Sequence, residues 1–599
     1  MTAKEFILVC VAWPYANADI HQGNATGAYL PADIYARYHR LKGNHVLMVS
    51  GSDTHGTPVT VKADEIGRTP AEVVAHYHER FLETFQRLGL SYDLFTHTDT
   101  ENHHRVAQDI FLNLLNNGYL YRQVTQQMYS PAADMFLPDR YVEGTCPVCG
   151  YPRARGDQCD NCNTLFENAS LLLNPRSKRD DSRLELRDTE HFFIDLPALA
   201  DQGLEDWLNA EDKAHWRPQV INFARNFLKE GLVGRAVTRD MDWGIPVPVD
   251  LPGFEHKVMY VWFEAVIGYF SAAVEWAANQ ATPDAWRQWW YNPAARTVYF
   301  IGKDNIPFHT IIWPAELLGL RGLYSHDATA RLNLPYDVPA NEFMNMEGRK
   351  ISGSMNWGVW LIDALQRHDP DPLRYYLTAI MPEARDSDWS WEGYVERNNS
   401  ELVANWGNLV NRVLNMTQRY FQGVVPDPGP LTEADRDLLA VVDEGFAIVG
   451  AFYDACKFRA AVGEALRLST LVNRYLEQTS PWTMVKTDKA ATARALYTAI
   501  QAINGLKVLL SPVLPFTSQR LHEFLGESGS LFGQQVVRTY QESSRSHRAL
   551  TYDGAEAVGD WQRHEIPAGR RLPAPAALFR KLDESVVADE LSRLGQKPF

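Results

Sequence analysis

Four cysteines fall within one 17-residue window, as Cys146-x-x-Cys149, nine residues, then Cys159-x-x-Cys162. Two such knuckles can turn four thiolates onto one tetrahedral Zn²⁺ at about 2.3 Å, and a four-thiolate shell leaves no position for a substrate. The expected chemistry is structural, one zinc per chain, with two disulfides as the other reading. A second group is His21-Gln22-Gly23-Asn24, placed where an apolar run hands over to helical spacing. Free N–H groups and the dipole at a helix N-terminus favour phosphate, and Gly23 lets the backbone come close. Taken alone, the tetrapeptide also reads as an ordinary loop with a capping Asn. A third group, Gly348-Arg349-Lys350-Ile351-Ser352-Gly353-Ser354, is a basic Gly- and Ser-rich loop of the kind that closes over a triphosphate.

Something must hold these groups together. Phe6–Ala12 reads as a strand, Tyr15–Gln22 as a loop, and Leu30, Ile34 and Tyr38 as one helix face. A second run, His45–Val49, ends in Ser50-Gly51-Ser52-Asp53, and a third, Thr297–Ile301, in Gly302-Lys303-Asp304. Strands alternating with helices imply a parallel sheet with right-handed crossovers. Ligands of such sheets bind outside the carboxyl ends of the strands, so His21, Asp53 and Lys303 are expected in one crevice.

The expected fold is an α/β Rossmann-type catalytic domain carrying an inserted zinc-binding connective domain, followed by an α-helical bundle. The divisions are residues 1–117 and 241–330 for the two halves of the sheet domain, 118–240 for the insertion, and 331–387 for the basic loop and its surroundings. The bundle takes 388–540. Residues 541–599 lose the helical rhythm and form an extension without an assigned role.

Composition narrows the function classes. The 599 residues are 45% hydrophobic and 22% charged, which excludes disorder and coiled coil. A net charge of −16 argues against a surface that clings everywhere to phosphate backbone, though a local basic groove stays possible. Six cysteines, four of them clustered, point to a reducing compartment and so to the cytoplasm. The run FILVCVAW meets Pro14 with no small-residue cleavage site, so it reads as a buried strand, and no apolar run reaches the roughly 18 residues that a membrane helix needs.

In chain order, WPYANADIHQGN, Gly51-Ser52-Asp53-Thr54-His55-Gly56, Tyr260-Val261-Trp262-Phe263-Glu264, Gly302 to His309, the basic loop, Asn399 to Asn405 and Asn473-Arg474-Tyr475 through Pro481-Trp482 resemble class I aminoacyl-tRNA synthetases, specifically the methionyl-tRNA synthetases. The likeness runs from about Phe6 to about Trp482, and the two signature motifs commonly written HIGH and KMSKS fall on His21–Asn24 and on the basic loop. It implies ATP-dependent activation of L-methionine, with Mg²⁺ accompanying ATP, and transfer to tRNA(Met). His21, Asn24 and Lys350 match the catalytic positions. Gly23, Lys303, Asp304 and Ser352 match the ATP side, with Arg239 beside them. Asp53 matches the carboxylate that takes the substrate's ammonium, and Trp13, Tyr15, Trp262, Val266, Tyr269 and His309 match the wall around the thioether. Asn408, Arg412 and Trp482 match the anticodon-reading positions.

Three residues depart from the family pattern. Gly353 stands where most members carry the second lysine of KMSKS, Trp13 where an aliphatic residue is usual, and Val266 where a proline is usual. They leave two other readings, a synthetase-like regulatory protein with impaired aminoacylation and a class I synthetase for another amino acid. A monomer is expected, because the chain stops without the tRNA-binding module that makes some members dimers.

Overall fold

The computed structural model describes residues 4–138, 141–156, 159, 161, 162, 164, 171–353 and 355–596. Seven strands form the main sheet: β1 (Phe6–Val11), β2 (His45–Ser52), β3 (Leu94–His97), β4 (Arg296–Gly302), β5 (Ala340–Asn341), β6 (Gln534–Gln541) and β7 (Ser546–Asp553). Their order is β5-β4-β1-β2-β3-β7-β6. The first five run parallel, with β1 at the centre between β4 and β2. An unbroken apolar strand needs cover on both faces. Ile7, Val9 and Val11 accordingly join the core under α1 (Leu30–Leu41) and α2 (Pro70–Leu88), while Leu8 and Cys10 join the core under α3 (Glu101–Asn116) and α4 (Val261–Ala278).

The chain leaves the sheet after α3 at Gly118, whose φ of +81° suits glycine. A long antiparallel ribbon, Leu120–Ser130 against Glu185–Ile194, carries the knuckles outward on a small three-stranded sheet. Helices between Leu196 and Lys229 bring it back, and the Thr238–Asp240 and Lys257–Met259 strands lead into α4.

Beyond Trp391 the chain is helical to Phe524, and this bundle shares one continuous core with the first face of the sheet. Fully buried Arg374 ties the two: its guanidinium donates to Asp33 at 2.6 Å, to the Leu88 carbonyl, and to the Pro512 and Val513 carbonyls. No helix among the described residues is long and apolar enough to cross a membrane.

The end of the chain, an extension without an assigned role in the sequence, returns to the main sheet. Polar Ser543–Arg548 contains the turn of a hairpin whose second strand, β7, lies antiparallel to β3 and completes the sheet. β6 is the outer strand and no residue of it is fully buried, so its sequence lacks the apolar alternation that marks a strand. A final helix, Ser585–Leu591, docks through Glu590, which takes Arg367 at 2.6 and 2.7 Å and His368 at 3.1 Å.

Candidate active site

Strand order reverses between β1 and β4, so the crevice opens at their carboxyl ends. The loop after β1 lies beside the end of β2: the Asp53 N–H donates to the Pro14 carbonyl at 2.8 Å and the Ala16 N–H to the Asp53 carbonyl at 2.9 Å. This holds the Asp53 side chain next to Tyr15. Asp53 is 3% exposed and its Oδ1 has no partner among the described residues. Burial, and then the negative charge of Glu264, push its pKa well above the usual carboxylate range, opposed by a bond from the His55 N–H. A buried carboxylate with an empty acceptor is costly to keep and marks a place where a cationic partner would be stabilised.

Aromatic side chains stand around it. Trp262 stacks on Phe308 with centroids 4.1 Å apart, and Tyr15 meets Trp262 edge-on at 6.0 Å. The Tyr269 hydroxyl donates to His309 Nε2 at 2.7 Å, because His309 Nδ1–H is spent on the Asn305 carbonyl at 2.9 Å. Burial lowers the His309 pKa to about 4, so the ring is neutral and the wall carries no cation of its own. Trp13 fits where a smaller residue is usual because two glycines make room. A Cβ on Gly51 would lie 2.2 Å from the Trp13 ring and one on Gly268 would lie 2.7 Å from it. Val266 is 3% exposed and belongs to the core beneath α4.

The two motif loops meet on the opposite side. His21 Nδ1 accepts the Asn24 N–H at 3.2 Å while Asn24 Oδ1 accepts the His21 N–H at 3.1 Å, so the capping Asn and the helix N-terminus are one structure. This assigns the His21 proton to Nε2, and burial keeps the ring neutral with a pKa of about 4. Gln22 Oε1 accepts the Val359 N–H at 2.7 Å, and the Gln22 N–H donates to the Val359 carbonyl at 3.0 Å. A Cβ on Gly23 would come within 2.8 Å of Ile351 Cδ1. A larger residue at this position would press on the side chain of the second loop. Lys350 is exposed on a short strand paired with Met344–Met346, and Ser352 closes the turn to Trp357. Ser354 lies outside the described residues.

Lys303 is already committed: its ammonium meets Glu342 at 2.7 Å and Asp386 at 2.8 Å. Asp304 is exposed, yet the protein atoms crowding its carboxyl raise its pKa. A Cβ on Gly302 would sit 2.8 Å from Asp304 Oδ1, so a larger residue there would turn the Asp304 carboxylate aside. Arg239 lies over the Tyr260 ring at 3.9 Å and lines, with Tyr15 and Trp262, a cavity of about 340 Å³.

The four knuckle sulfurs lie within 4.8 Å of one another, Cys146 to Cys162 at 3.7 Å and Cys149 to Cys159 at 3.6 Å. Disulfides need about 2.05 Å, whereas a tetrahedral metal with bonds of about 2.3 Å separates its sulfurs by about 3.8 Å. The set could hold a metal. In the bundle, Arg412 lies 4.7 Å from the centre of the Trp482 ring, which is 36% exposed, and exposed Asn408 is one turn away on the same helix.

A family model described as "tRNA synthetases class I (M)" matches residues 7–414, and one described as "Anticodon binding domain of methionyl tRNA ligase" matches 425–553. The methionine–tRNA ligase of Thermomicrobium roseum is 54% identical, covering 98% of this chain and 99% of the relative, and that of Roseiflexus castenholzii is 52% identical over 99% of each. The chain belongs to the methionine–tRNA ligase family. Among solved structures, Mycobacterium tuberculosis methionyl-tRNA synthetase in complex with methionyl-adenylate aligns at 25% identity with a TM-score of 0.74, covering 96% of this chain and 100% of that one.

Two features of this methionine–tRNA ligase fold escape a reading of motifs. Asn405, inside one matched stretch, accepts Ser469 at 3.0 Å and Asn473 at 3.0 Å, so these amides bind bundle helices to each other. Buried Glu264 takes His55 at 2.8 Å and His103 at 2.7 Å. His55 and Glu264 both sit in matched stretches, but only the fold brings His103 to them.

Proposed function

We propose that the chain activates L-methionine with ATP to methionyl-adenylate, releases pyrophosphate, and transfers the methionyl group to the terminal adenosine of tRNA(Met). The observation that carries this is the unpaired Asp53 oxygen at the end of an aromatic wall. An α-ammonium would complete the carboxylate, and a thioether would gain about 0.3–1.5 kcal/mol on each aromatic contact. His309 is neutral and offers no charge to attract a polar side chain. Attack of the substrate carboxylate on the α-phosphorus builds negative charge on the phosphate oxygens. His21 Nε2–H and the Asn24 amide would donate to them, and Lys350 would follow the departing pyrophosphate. Asp304 and the Gly23 backbone belong to the nucleotide side of this reading, and ATP arrives with Mg²⁺ as its own counter-ion. Purified enzyme should catalyse methionine-dependent pyrophosphate exchange. Equal exchange with leucine or cysteine would end the assignment.

Cys146, Cys149, Cys159 and Cys162 would hold one Zn²⁺, which braces the outer end of the insertion. That thiolate set suits a reducing cytoplasm. Metal analysis should return about one zinc per chain. Cys159→Ser should lose it and lower tRNA charging more than exchange, because the knuckle belongs to the insertion whereas Asp53, His21 and Lys350 stand on other segments.

Asn408, Arg412 and Trp482 would read the anticodon, the guanidinium against the indole making a platform on which a splayed base can stack. Trp482→Ala should weaken tRNA charging by roughly 1–3 kcal/mol with exchange unchanged. Equal loss in both assays would return Trp482 to a packing role.

A further inference from the structure

The residue that links the two ends of the amino-acid crevice is Glu264. It lies on α4 two positions after Trp262 and is fully buried, with one oxygen 2.8 Å from His55 Nδ1 and the other 2.7 Å from His103 Nε2. His55 follows Asp53 by two residues on the loop that ends β2. The same loop also abuts α4 where Gly56 meets Val261, and its Thr54 N–H donates to Thr98 Oγ1 at 3.0 Å. Trp243 packs on the His55 ring at 5.8 Å and donates to the Thr54 carbonyl at 2.7 Å, which holds the loop from outside. His103 is fixed in turn: its Nε2–H is given to Glu264 and its Nδ1 accepts the Ser271 hydroxyl at 2.7 Å, burial lowering the pKa of the ring. Burial works against a charged Glu264, but the two histidines outweigh it and hold its pKa down to about 2.

We propose that Glu264 is a positioning residue for amino-acid activation: through His55 it holds the Asp53 carboxylate opposite the aromatic wall of its own helix, and its negative charge acts on that carboxylate. The inference rests on Asp53 as the ammonium acceptor. Several groups face this cluster. Tyr269 and Asp53 stand on the crevice side. Behind lie His104 and Asp99, 3.3 Å apart, with Arg545 on Asp99 at 2.8 Å. The Tyr269 hydroxyl keeps its proton, since burial raises its pKa well above 10, and Arg545 stays charged, so neither group reverses the sign below.

The test is the pH dependence of kcat/KM for methionine in pyrophosphate exchange, whose acid limb reports ionisation of the free enzyme. Glu264→Gln removes a like charge facing Asp53, which then ionises at lower pH. The limb should move down by about one pH unit or more. The lost tether should raise the methionine KM roughly tenfold at neutral pH, with kcat and the ATP KM nearly unchanged. Glu264→Asp keeps the charge on a shorter arm, so the KM should rise with the limb in place. That variant serves even if Glu264→Gln does not fold. A limb unmoved in Glu264→Gln, an ATP KM that rises in step with that of methionine, or a methionine KM unchanged in Glu264→Asp would overturn the proposal. Asp53→Asn, measured in parallel, should abolish the limb. If it does and Glu264→Gln leaves the limb in place, this proposal alone fails. If Asp53→Asn leaves both limb and KM intact, the reading of Asp53 falls with it.

Discussion

Asp53→Asn is expected to raise the methionine KM at least about 30-fold, because a buried charge pair that loses one partner costs roughly 2–5 kcal/mol. The ATP KM should not follow, since Asp53 is on the amino-acid side of the crevice. The same change should stabilise the empty enzyme. In the free protein the Asp53 carboxyl has a raised pKa, from burial first and Glu264 second, so the folded state prefers the proton more than the unfolded chain does. Stability linked to this group is fully present below the ordinary carboxyl pKa of 3.8 and is lost as pH rises through the raised value. An amide carries no such penalty. The melting temperatures of variant and wild type should therefore coincide, as far as this group decides, below about pH 4 and separate in favour of the variant as pH rises. Calorimetry across that range checks the stability arm and exchange kinetics the binding arm. A variant with lower stability and wild-type methionine KM would show that Asp53 is a structural residue.

Lys350→Ala is expected to slow single-turnover adenylate formation by about 10²–10³ while methionine binding changes little, the mark of a contact made mainly in the transition state. Lys350 is exposed and, among the described residues, pairs through its backbone with Met344–Met346, so its removal leaves no hole. The loop has little charge in reserve. Lys303 is held by Glu342 and Asp386, and Arg349 lies over the Trp357 ring at 4.8 Å. Gly353 has open space around it, with the Trp360 ring 3.8 Å from where its Cβ would stand. A side chain there starts from open space, and Gly353→Lys should be neutral or faster. An unchanged adenylation rate in Lys350→Ala would mean that another loop serves the triphosphate.

What could be read from the sequence follows the reach of each interaction. The knuckles are legible because four ligands of one metal need only a short spacing, and the turn after β1 is legible because an apolar run breaks there. The reasons behind single residues are not. Gly23 answers to Ile351, and Trp13 to Gly51 and Gly268, partners that nothing local announces. Lys303 matches a nucleotide-side position, and nothing local announces that Glu342 and Asp386 stand beside it. His103 shows no periodic or motif signal at all, since its role is fixed by α3 packing across α4. The hairpin of β6 and β7 is hidden for another reason: an outer strand facing solvent has no apolar alternation to betray it.

The placement of β7 also sets a timetable. β3 is made early and waits for a neighbour that leaves the ribosome roughly 450 residues later. At about 5–20 residues per second that wait is on the order of 20–90 s, during which the sheet has a bare strand edge able to pair with any other extended chain. The nascent protein thus spends most of its synthesis with one flank of the sheet adhesive, and only the last stretch of translation seals it. A chain cut before Gln534 would keep every residue of the crevice and of the Trp482 face, yet remain permanently in that adhesive state.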